Sequence, residues 1–399
     1  MTTAKTTINV SKIFSCYVVL IPIIEYYKSP LSGFNLATFS AMLFLVLFAL
    51  LYLAQQHKRT KDRRMIVVWV YFLFMTANLF ITSSMYDYSY SWSNLNVYVR
   101  FWVLFLSLLI FGHYHFDFSF AIKFMEKLLV VCAVLIFIQD FLYIFLEIGV
   151  NINIPALLTN KGYATYPGRA GGLYMEPAHY AQSALIYLST FLFDTKKSYK
   201  LSKTAFVIIL FGVIASGSGQ GYALTAVLFG IWFLNHLRIT KLSVQKLFRL
   251  TGAALALGVV CLISLRIPFV QHAVSRFIGP DGSLGGQALA GRTYTNIIFQ
   301  QLSPKEKIYG IGFGHLSDLT SGYANSLYAH LIQCGYLSLG VLVFIFLYLL
   351  IKGKPRTKAF SILYALMVCF ASVATPMSLC FFLLFMLFDN EGSGEKEKT

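Results

Sequence analysis

The chain has 399 residues, of which 57% are hydrophobic and only 12% are charged. A soluble fold of this length could not bury so much apolar surface, so the composition excludes a soluble protein and predicts a polytopic membrane protein. The formal net charge of +16 would suggest nucleic-acid binding in a soluble domain. Here the basic residues lie in short clusters between apolar runs, which is a pattern typical of membrane topology.

Apolar runs predict an all-α bundle of about 12 transmembrane helices over residues 1–389, followed by a polar tail at 390–399. A helix that crosses the hydrocarbon core needs about 20 residues, and several of the runs are shorter. The predicted spans lie near 11–27, 34–54, 65–84, 95–112, 127–148, 178–195, 203–216, 221–236, 249–266, 326–351, 359–375 and 376–389.

Basic clusters predict the orientation of these spans. The clusters follow the second, sixth, eighth and tenth spans, at residues 58–64, 196–203, 238–249 and 352–358. Cytoplasmic loops collect Lys and Arg, so we expect these loops, both termini and the tail to be cytoplasmic. Two long loops, 149–177 and 267–325, then lie on the outer face, and the second is too long to be a simple connection.

The first long loop ends in a polar, glycine-rich stretch that runs into the sixth span. Arg169 lies there between Gly168 and the pair Gly171-Gly172. An arginine can pair bidentately with a phosphate, while glycines allow close backbone approach and supply amide donors. The alternative for Arg169 is a snorkelling side chain that binds lipid headgroups.

Glu176 stands immediately before a proline at the start of the sixth span. Proline suits the first helical turn, so Glu176 is expected near the N-cap, where a carboxylate favours the helix dipole. It is also the candidate general base for an acceptor hydroxyl. His179, one turn into the same helix, is either a helper of this base or a packing residue.

The second long loop offers two further arginines. Gly291-Arg292 starts a predicted amphipathic helix at 291–302, whose N-terminus itself favours anions. Arg276 lies in a second predicted helix at 268–278. We therefore take Arg292 as a catalytic candidate and Arg276 as a substrate-binding candidate.

Four more residues complete the substrate-binding candidates. Asn325 either caps the tenth span or binds sugar hydroxyls. His330 lies one turn deeper, and an ionisable group at membrane depth is a functional candidate, although a neutral, hydrogen-bonded histidine is the alternative. Tyr163 and Tyr323 belong to the two long outer loops.

The glycines at 310, 312 and 314 superficially match a dinucleotide fingerprint, but no βαβ unit surrounds them and no acidic residue follows at the right distance. The sequence contains neither Asp-x-Asp nor a cluster with metal-ligand spacing. We therefore do not expect a metal-dependent nucleotide-sugar site, and we expect neither a metal ion nor a cofactor.

Taken in order, these motifs resemble the O-antigen polymerase and O-antigen ligase superfamily of bacterial membrane glycosyltransferases. The matching pieces are the arginine–glycine–Glu-Pro stretch at 169–177, Gly291-Arg292, the glycine run at 310–314, Asn325-Ser326-Leu327-Tyr328 and residues 335–340. The ligases carry a histidine directly before the asparagine of the fourth motif. This chain has Ala324 there, which favours a polymerase.

The resemblance implies a GT-C-like bundle in the bacterial inner (plasma) membrane, with its site on the periplasmic or outer face. Its substrate would be an undecaprenyl-diphosphate-linked oligosaccharide repeat unit of O-antigen, capsule or exopolysaccharide. Arg169 and Arg292 would stabilise the diphosphate leaving group without a metal, and Glu176 would accept the hydroxyl proton. The resemblance admits a chain-length regulator and a flippase as partners beside the lipid bilayer, and no nucleic acid.

Three alternatives stay open. A ligase of the same superfamily would move the glycan to another acceptor. A 12-helix polysaccharide flippase or other transporter often shows two related halves and polar residues at mid-membrane. A structural assembly protein would have no catalysis. The polar chemistry of this chain is concentrated in its two long outer loops, which favours an enzyme.

Overall fold

The computed structural model describes residues 9–54, 65–86, 92–111, 115–149, 170–239, 295–316, 326–370 and 375–387. Within these ranges the protein is all-helical, as the composition predicts, and an isolated antiparallel bridge joins Lys28 to Asn35. The helices are α1 Val10–Ile24, α2 Leu36–Ala54, α3 Met65–Tyr86, α4 Trp92–Leu106, α5 Phe118–Leu146, α6 Pro177–Phe193, α7 Lys203–Ala215, α8 Gly219–Ile239, α9 Pro304–Tyr309, α10 Ser326–Lys352, α11 Pro355–Phe370 and α12 Thr375–Leu387. A π-helical turn, Ser107–Phe111, continues α4.

Each predicted span other than the ninth coincides with one of these helices, and the ninth, 249–266, lies outside the described residues. The largest difference is at α5, which begins at Phe118 rather than at the predicted residue 127. Asp117 caps this helix, because its side chain accepts the backbone N–H of Phe120 at 2.9 Å. Charged residues at positions 123, 126 and 127 interrupt the apolar pattern of the first turns. A prediction from apolar runs alone therefore starts the helix too late.

Three of the described helices are long and apolar enough to cross a membrane, at Ile66–Tyr86, Phe118–Leu146 and Ser326–Lys352. Shorter apolar helices lie at Val10–Ile24, Leu36–Leu51, Leu95–Ile110 and Lys203–Ala215. The outward face of α5 exposes large apolar side chains, such as Phe141 at 56% and Phe145 at 68%. Such a surface suits contact with lipid acyl chains rather than water.

α6 lies at the centre of the bundle. It packs against α5, α7, α8 and α11, and every residue from 180 to 190 is buried. The buried residues of α6 include polar ones such as Gln182 and Ser183, so the helix is covered by its neighbours on every side. The segment that precedes α6 is therefore held by a rigid scaffold.

α10 is broken at Gly335, whose backbone has φ 70° and ψ −178°. The break frees the carbonyls of Ile332 and Gln333, and these accept the N–H groups of Ile311 at 2.8 Å and Gly312 at 3.0 Å. The glycine run at 310–314 therefore binds to the broken helix by backbone hydrogen bonds. A side chain at Gly310 would collide with the Gln333 carbonyl, which explains the need for glycine at that position.

A short helical stretch at 295–301 lies inside the predicted helix 291–302. Its Ile298 and Phe299 form a small apolar cluster with Ile311 and Leu331. The described part of the second long loop thus packs against the first half of α10.

Contacts between connecting segments divide the bundle into two ends. One end joins Gly33 to Asn96, Tyr26 to His179, Gly172 to Gln139 and Tyr309 to Asn78. The opposite end joins Ser15 to Asp117, Glu126 to Ser202 and Arg356 to Phe385. The assignment of these two ends to the two sides of a membrane stays a prediction. We call the first the site end, since it carries Glu176 and His179.

Candidate functional site

Glu176 occupies the N-cap position of α6, with an extended backbone at φ −129° and ψ 142°. Pro177 follows it in the first helical turn, and the Glu176 carbonyl accepts the backbone N–H of His179 at 3.0 Å. Its side chain forms no capping hydrogen bond with the described residues and is partly exposed. The predicted location is therefore correct, and the carboxylate is not used to cap the helix.

His179 lies one turn further along α6 and pairs with Tyr26 of the segment that follows α1. The Tyr26 hydroxyl lies 3.2 Å from Nδ1 and 3.2 Å from Nε2, and the two rings stack with centroids 5.4 Å apart. One hydroxyl can bond in line with only one ring nitrogen at a time, so the tautomer of His179 decides which bond forms. The carboxylate of Glu176 interacts electrostatically with this imidazole.

Glu25 extends the pair to a chain of four groups. It is the C-cap residue of α1, and its carboxyl hydrogen-bonds the Tyr26 side chain. Burial raises the pKa of Glu25 to about 7, and the hydrogen bond from Tyr26 partly opposes this effect. A tyrosine hydroxyl can donate one bond and accept another, so Tyr26 can connect Glu25 with His179. We call Glu25, Tyr26, His179 and Glu176 the relay.

Sequence reasoning found Glu176 and His179 but missed Glu25 and Tyr26. Both residues fall inside the predicted first span, 11–27, whereas the helix ends at Ile24 and they begin the connection to α2. The search for acidic groups covered only the two long loops. A signal was available, because Glu25 ends an apolar run on the predicted outer face. An ionisable group with a perturbed pKa beside hydrogen-bonding partners is a functional candidate.

Asp140 is a second acidic group that sequence reasoning missed, because it lies inside the apolar run of α5. Its side chain is 8% exposed, and its Oδ2 has no hydrogen-bond partner among the described residues. The neighbouring Gln139 accepts the backbone N–H of Gly172 at 3.1 Å through its Oε1. Asp140 therefore lies close to the segment that joins Arg169 to Glu176 in sequence.

Gly172 packs this segment against α5. Its φ is 63°, and a Cβ there would lie 2.8 Å from the carbonyl oxygen of Cys132. A side chain at Gly171 would collide with the Tyr174 carbonyl. Because Gln139 already binds the amide of Gly172, that amide is not a free donor of the kind expected from the sequence.

His330 is 1% exposed and lies in the first half of α10. Its Nε2 contacts the Ser338 hydroxyl at 2.5 Å, across the break at Gly335. This is the arrangement of the hydrogen-bonded core histidine that the sequence left as an alternative. His330 therefore contacts Ser338 and is not part of the relay.

Six of the predicted site residues lie outside the described residues, so their arrangement around the relay stays a prediction. They are the catalytic candidates Arg169 and Arg292 and the binding candidates Arg276, Tyr163, Tyr323 and Asn325.

In the relay an electrostatic interaction links the Glu176 carboxylate to His179, and a hydrogen bond links His179 to Tyr26. A partly exposed carboxylate beside an imidazole suits a general base, and a hydrogen-bonded chain behind it can orient both groups. In the described ranges no three His, Cys, Asp or Glu side chains converge as a metal site, and the expectation of a reaction without metal or cofactor stays a prediction. No protein-family model matches the chain, and no curated protein matches its sequence.

Proposed function

We propose that this protein is a membrane glycosyltransferase that polymerises lipid-linked oligosaccharide repeat units at its site end. The observation that carries the proposal is the relay, in which the two groups predicted at the start of α6 meet a second carboxyl and a tyrosine from the α1 end. The segments that follow the two candidate arginines also pack at this end. Gly172, after Arg169, binds Gln139 of α5. Ile298, after Arg292, packs in one cluster with Leu331 of α10.

The reaction needs a base and a group that stabilises negative charge. The hydroxyl oxygen of the incoming unit forms the new glycosidic bond to the anomeric carbon of the donor chain. The bond from that carbon to the diphosphate breaks, and undecaprenyl diphosphate leaves with the electron pair. Glu176 takes the hydroxyl proton, while Arg169 and Arg292 stabilise the charge on the diphosphate without a metal.

The proposed setting is the bacterial inner membrane, with about 12 spans in a GT-C-like arrangement and the site end on the outer face. Basic clusters at 196–203 and 352–358 support this orientation, because both belong to the opposite end and cytoplasmic loops collect Lys and Arg. The lipid-linked substrate would then reach the relay from the outer leaflet. A chain-length regulator and a flippase are the protein partners that such a reaction would use.

A transporter of lipid-linked glycans is the second candidate. The break in α10 favours it, because transporters build their sites from discontinuous membrane helices. In this chain, however, the glycine run binds the freed carbonyls of Ile332 and Gln333, so these groups are not left to a substrate. A ligase would use the same relay with a different acceptor.

The test is polymerisation of purified lipid-linked repeat units in nanodiscs, with product length read on a gel. Glu176→Gln keeps the shape of the side chain but cannot accept a proton, so turnover should fall about 100- to 10,000-fold. Glu306→Gln is the matched control, because Glu306 closes a capping box with Ser303 and glutamine also serves in that motif.

Three outcomes separate the candidates. Long polymer from wild type and Glu306→Gln, with none from Glu176→Gln, supports the polymerase. Near-normal ladders from Glu176→Gln would remove Glu176 as the base. Movement of labelled lipid-linked glycan between leaflets, without chain growth, would identify a transporter.

A further inference from the structure

A polar pocket of about 380 Å³ lies at the site end, between the α1–α2 connection and α4. Its polar lining residues are Glu25, Lys28, Ser29, Ser32, Asn35 and Arg100. The volume lies in the range of small-molecule sites, about 300–1,000 Å³. We call it the α1–α2 pocket, and none of its residues was predicted from the sequence.

The wall formed by the α1–α2 connection is fixed by its own hydrogen bonds. Leu36 donates its N–H to the Tyr27 carbonyl at 2.8 Å, next to the bridge between Lys28 and Asn35. The Ser29 hydroxyl donates to the carbonyl of Leu31 at 2.8 Å. A wall that is already ordered loses little conformational entropy when a ligand binds.

Arg100 is held in place from α4. Its Nη2 donates to the Gly33 carbonyl at 2.6 Å, and the Asn96 side chain donates to the same oxygen at 2.7 Å. Gly33 has φ 86°, a backbone conformation that glycine adopts readily. The Arg100 Nε is buried and has no hydrogen-bond partner within the described ranges. That nitrogen is closed off from solvent, so a ligand can reach the guanidinium only through its terminal nitrogens, which the bond to Gly33 orients.

The charge of the lining is positive. Lys28 and Arg100 are cations, and Glu25 is the one carboxylate among the described lining residues. Serine hydroxyls and the Asn35 amide are the usual partners of sugar hydroxyls. A planar guanidinium binds a carboxylate by two parallel hydrogen bonds. Together these groups fit a small polyhydroxylated molecule that carries one carboxylate.

We propose that the α1–α2 pocket binds an acidic sugar of the glycan, with its carboxylate on Arg100 and Lys28. The inference rests on the proposed function, because it assigns the pocket to a sugar of the same lipid-linked unit. Glu25 belongs both to the pocket and to the relay. A sugar held there would position a neighbouring hydroxyl towards Tyr26 and His179. The enzyme would then select repeat units that contain a uronic acid.

The test measures binding by saturation-transfer NMR to full-length protein in nanodiscs. The probes are galacturonate, neutral galactose and glycerol 3-phosphate, which represents a lipid headgroup. We expect saturable binding of galacturonate. Galactose should bind at least about tenfold more weakly, because it lacks the carboxylate and therefore loses one charge-assisted hydrogen bond. Stronger binding of glycerol 3-phosphate than of galacturonate would overturn the sugar assignment in favour of a lipid headgroup site.

Two variants locate the binding. Arg100→Gln and Lys28→Gln should each weaken galacturonate binding about tenfold or more. Lys28→Gln is the second variant because Lys28 is exposed and its substitution keeps the hydrogen bond from Arg100 to Gly33. Lys203→Gln, at the start of α7 on the opposite end, is the control for loss of one positive charge. Equal binding to wild type, Arg100→Gln and Lys28→Gln would overturn the proposal.

The two proposals fail in different ways. Polymerisation by wild type without galacturonate binding would overturn the pocket alone. Galacturonate binding that depends on Arg100, in a protein that does not polymerise, would overturn the polymerase and keep the pocket as an acidic-sugar site. Glu176→Gln should still bind galacturonate, since Glu176 does not line the pocket.

Discussion

Glu25 belongs both to the relay and to the lining of the α1–α2 pocket. Its carboxyl lines the α1–α2 pocket beside Lys28 and Arg100 and also bonds Tyr26, which contacts His179. Burial raises the pKa of Glu25 to about 7, so the charge of this carboxyl changes within the physiological pH range. Any anion in the pocket experiences that change directly, because one more negative charge enters the lining.

Galacturonate binding should therefore weaken as the pH rises through about 7. Below this pH Glu25 is neutral and the two cations dominate, whereas above it the ionised carboxylate repels the sugar. The sugar carboxylate itself stays ionised above about pH 5. Saturation-transfer titrations from about pH 5.5 to 8.5 measure the effect, and Tyr26→Phe should move the midpoint upwards, because the hydrogen bond from Tyr26 lowers the pKa of Glu25.

Glu25→Gln separates this effect from that of other groups near the pocket. Binding to Glu25→Gln should change little between pH 6 and pH 8. If its pH dependence equals that of wild type, the responsible group is not Glu25.

The sequence alone identifies only part of the site at the residue scale. Glu176 and His179 were predicted because a Glu-Pro pair before an apolar run fixes their place on one helix. The contact between Tyr26 and His179 joins positions that are 153 residues apart, and no local pattern specifies such a contact. Sequence reasoning missed Asp140 for another reason. One carboxylate hardly changes the mean hydropathy of a long apolar helix, so the segment was interpreted only as a membrane span.

α10 and the glycine run form one structural unit at the element scale. The break at Gly335 would leave two carbonyls unsatisfied inside a membrane-capable helix, and unsatisfied backbone groups are costly there. The N–H groups of Ile311 and Gly312 provide the missing bonds. Sequence reasoning predicted one continuous tenth span, because apolar composition does not report backbone angles.

Gly335→Ala and Gly310→Ala should therefore destabilise the protein. Both glycines have positive φ, of 70° and 79°, and a Cβ at either would collide with backbone atoms of the other segment. Backbone strain of this kind costs about 1–3 kcal/mol before the collision is counted. Thermal unfolding in detergent should show a Tm lower by several degrees for both variants.

Gly340→Ala is the control in the same helix. A Cβ at Gly340 meets no atom within 4 Å, and alanine favours a helix interior over glycine by about 1 kcal/mol. Its Tm should stay equal or rise. A Gly335→Ala protein as stable as Gly340→Ala would show that the break in α10 is not needed.

At the scale of the whole molecule, the two ends of the bundle carry different chemistry. The relay and the α1–α2 pocket lie at the site end, whereas the basic residues at 196–203 and 352–358 lie at the opposite end. Most helix positions could be predicted, because length and apolar composition decide where a helix forms in a membrane protein. The packing order around α6 could not, since it depends on side-chain shapes that meet only in the folded protein.

Cysteine labelling tests which end faces out. In a cysteine-free background, Ser32→Cys lies at the site end and Ser198→Cys at the opposite end, and both positions are exposed. A membrane-impermeant maleimide applied to intact spheroplasts should label Ser32→Cys and leave Ser198→Cys unlabelled until the membrane is broken, because basic loops stay in the cytoplasm. The reverse pattern would invert the topology and remove the site from the outer leaflet.

The burial of α6 has a consequence for the surrounding lipid. Changes in bilayer thickness act on helices that touch acyl chains, which respond by tilting, and α5 has such a face at Phe141 and Phe145. α6 is covered by protein from residue 180 to 190, so it experiences hydrophobic mismatch only through its neighbours. We therefore expect the outer helices to respond to changes in bilayer thickness, while the position of Glu176 along the bundle is set by protein packing.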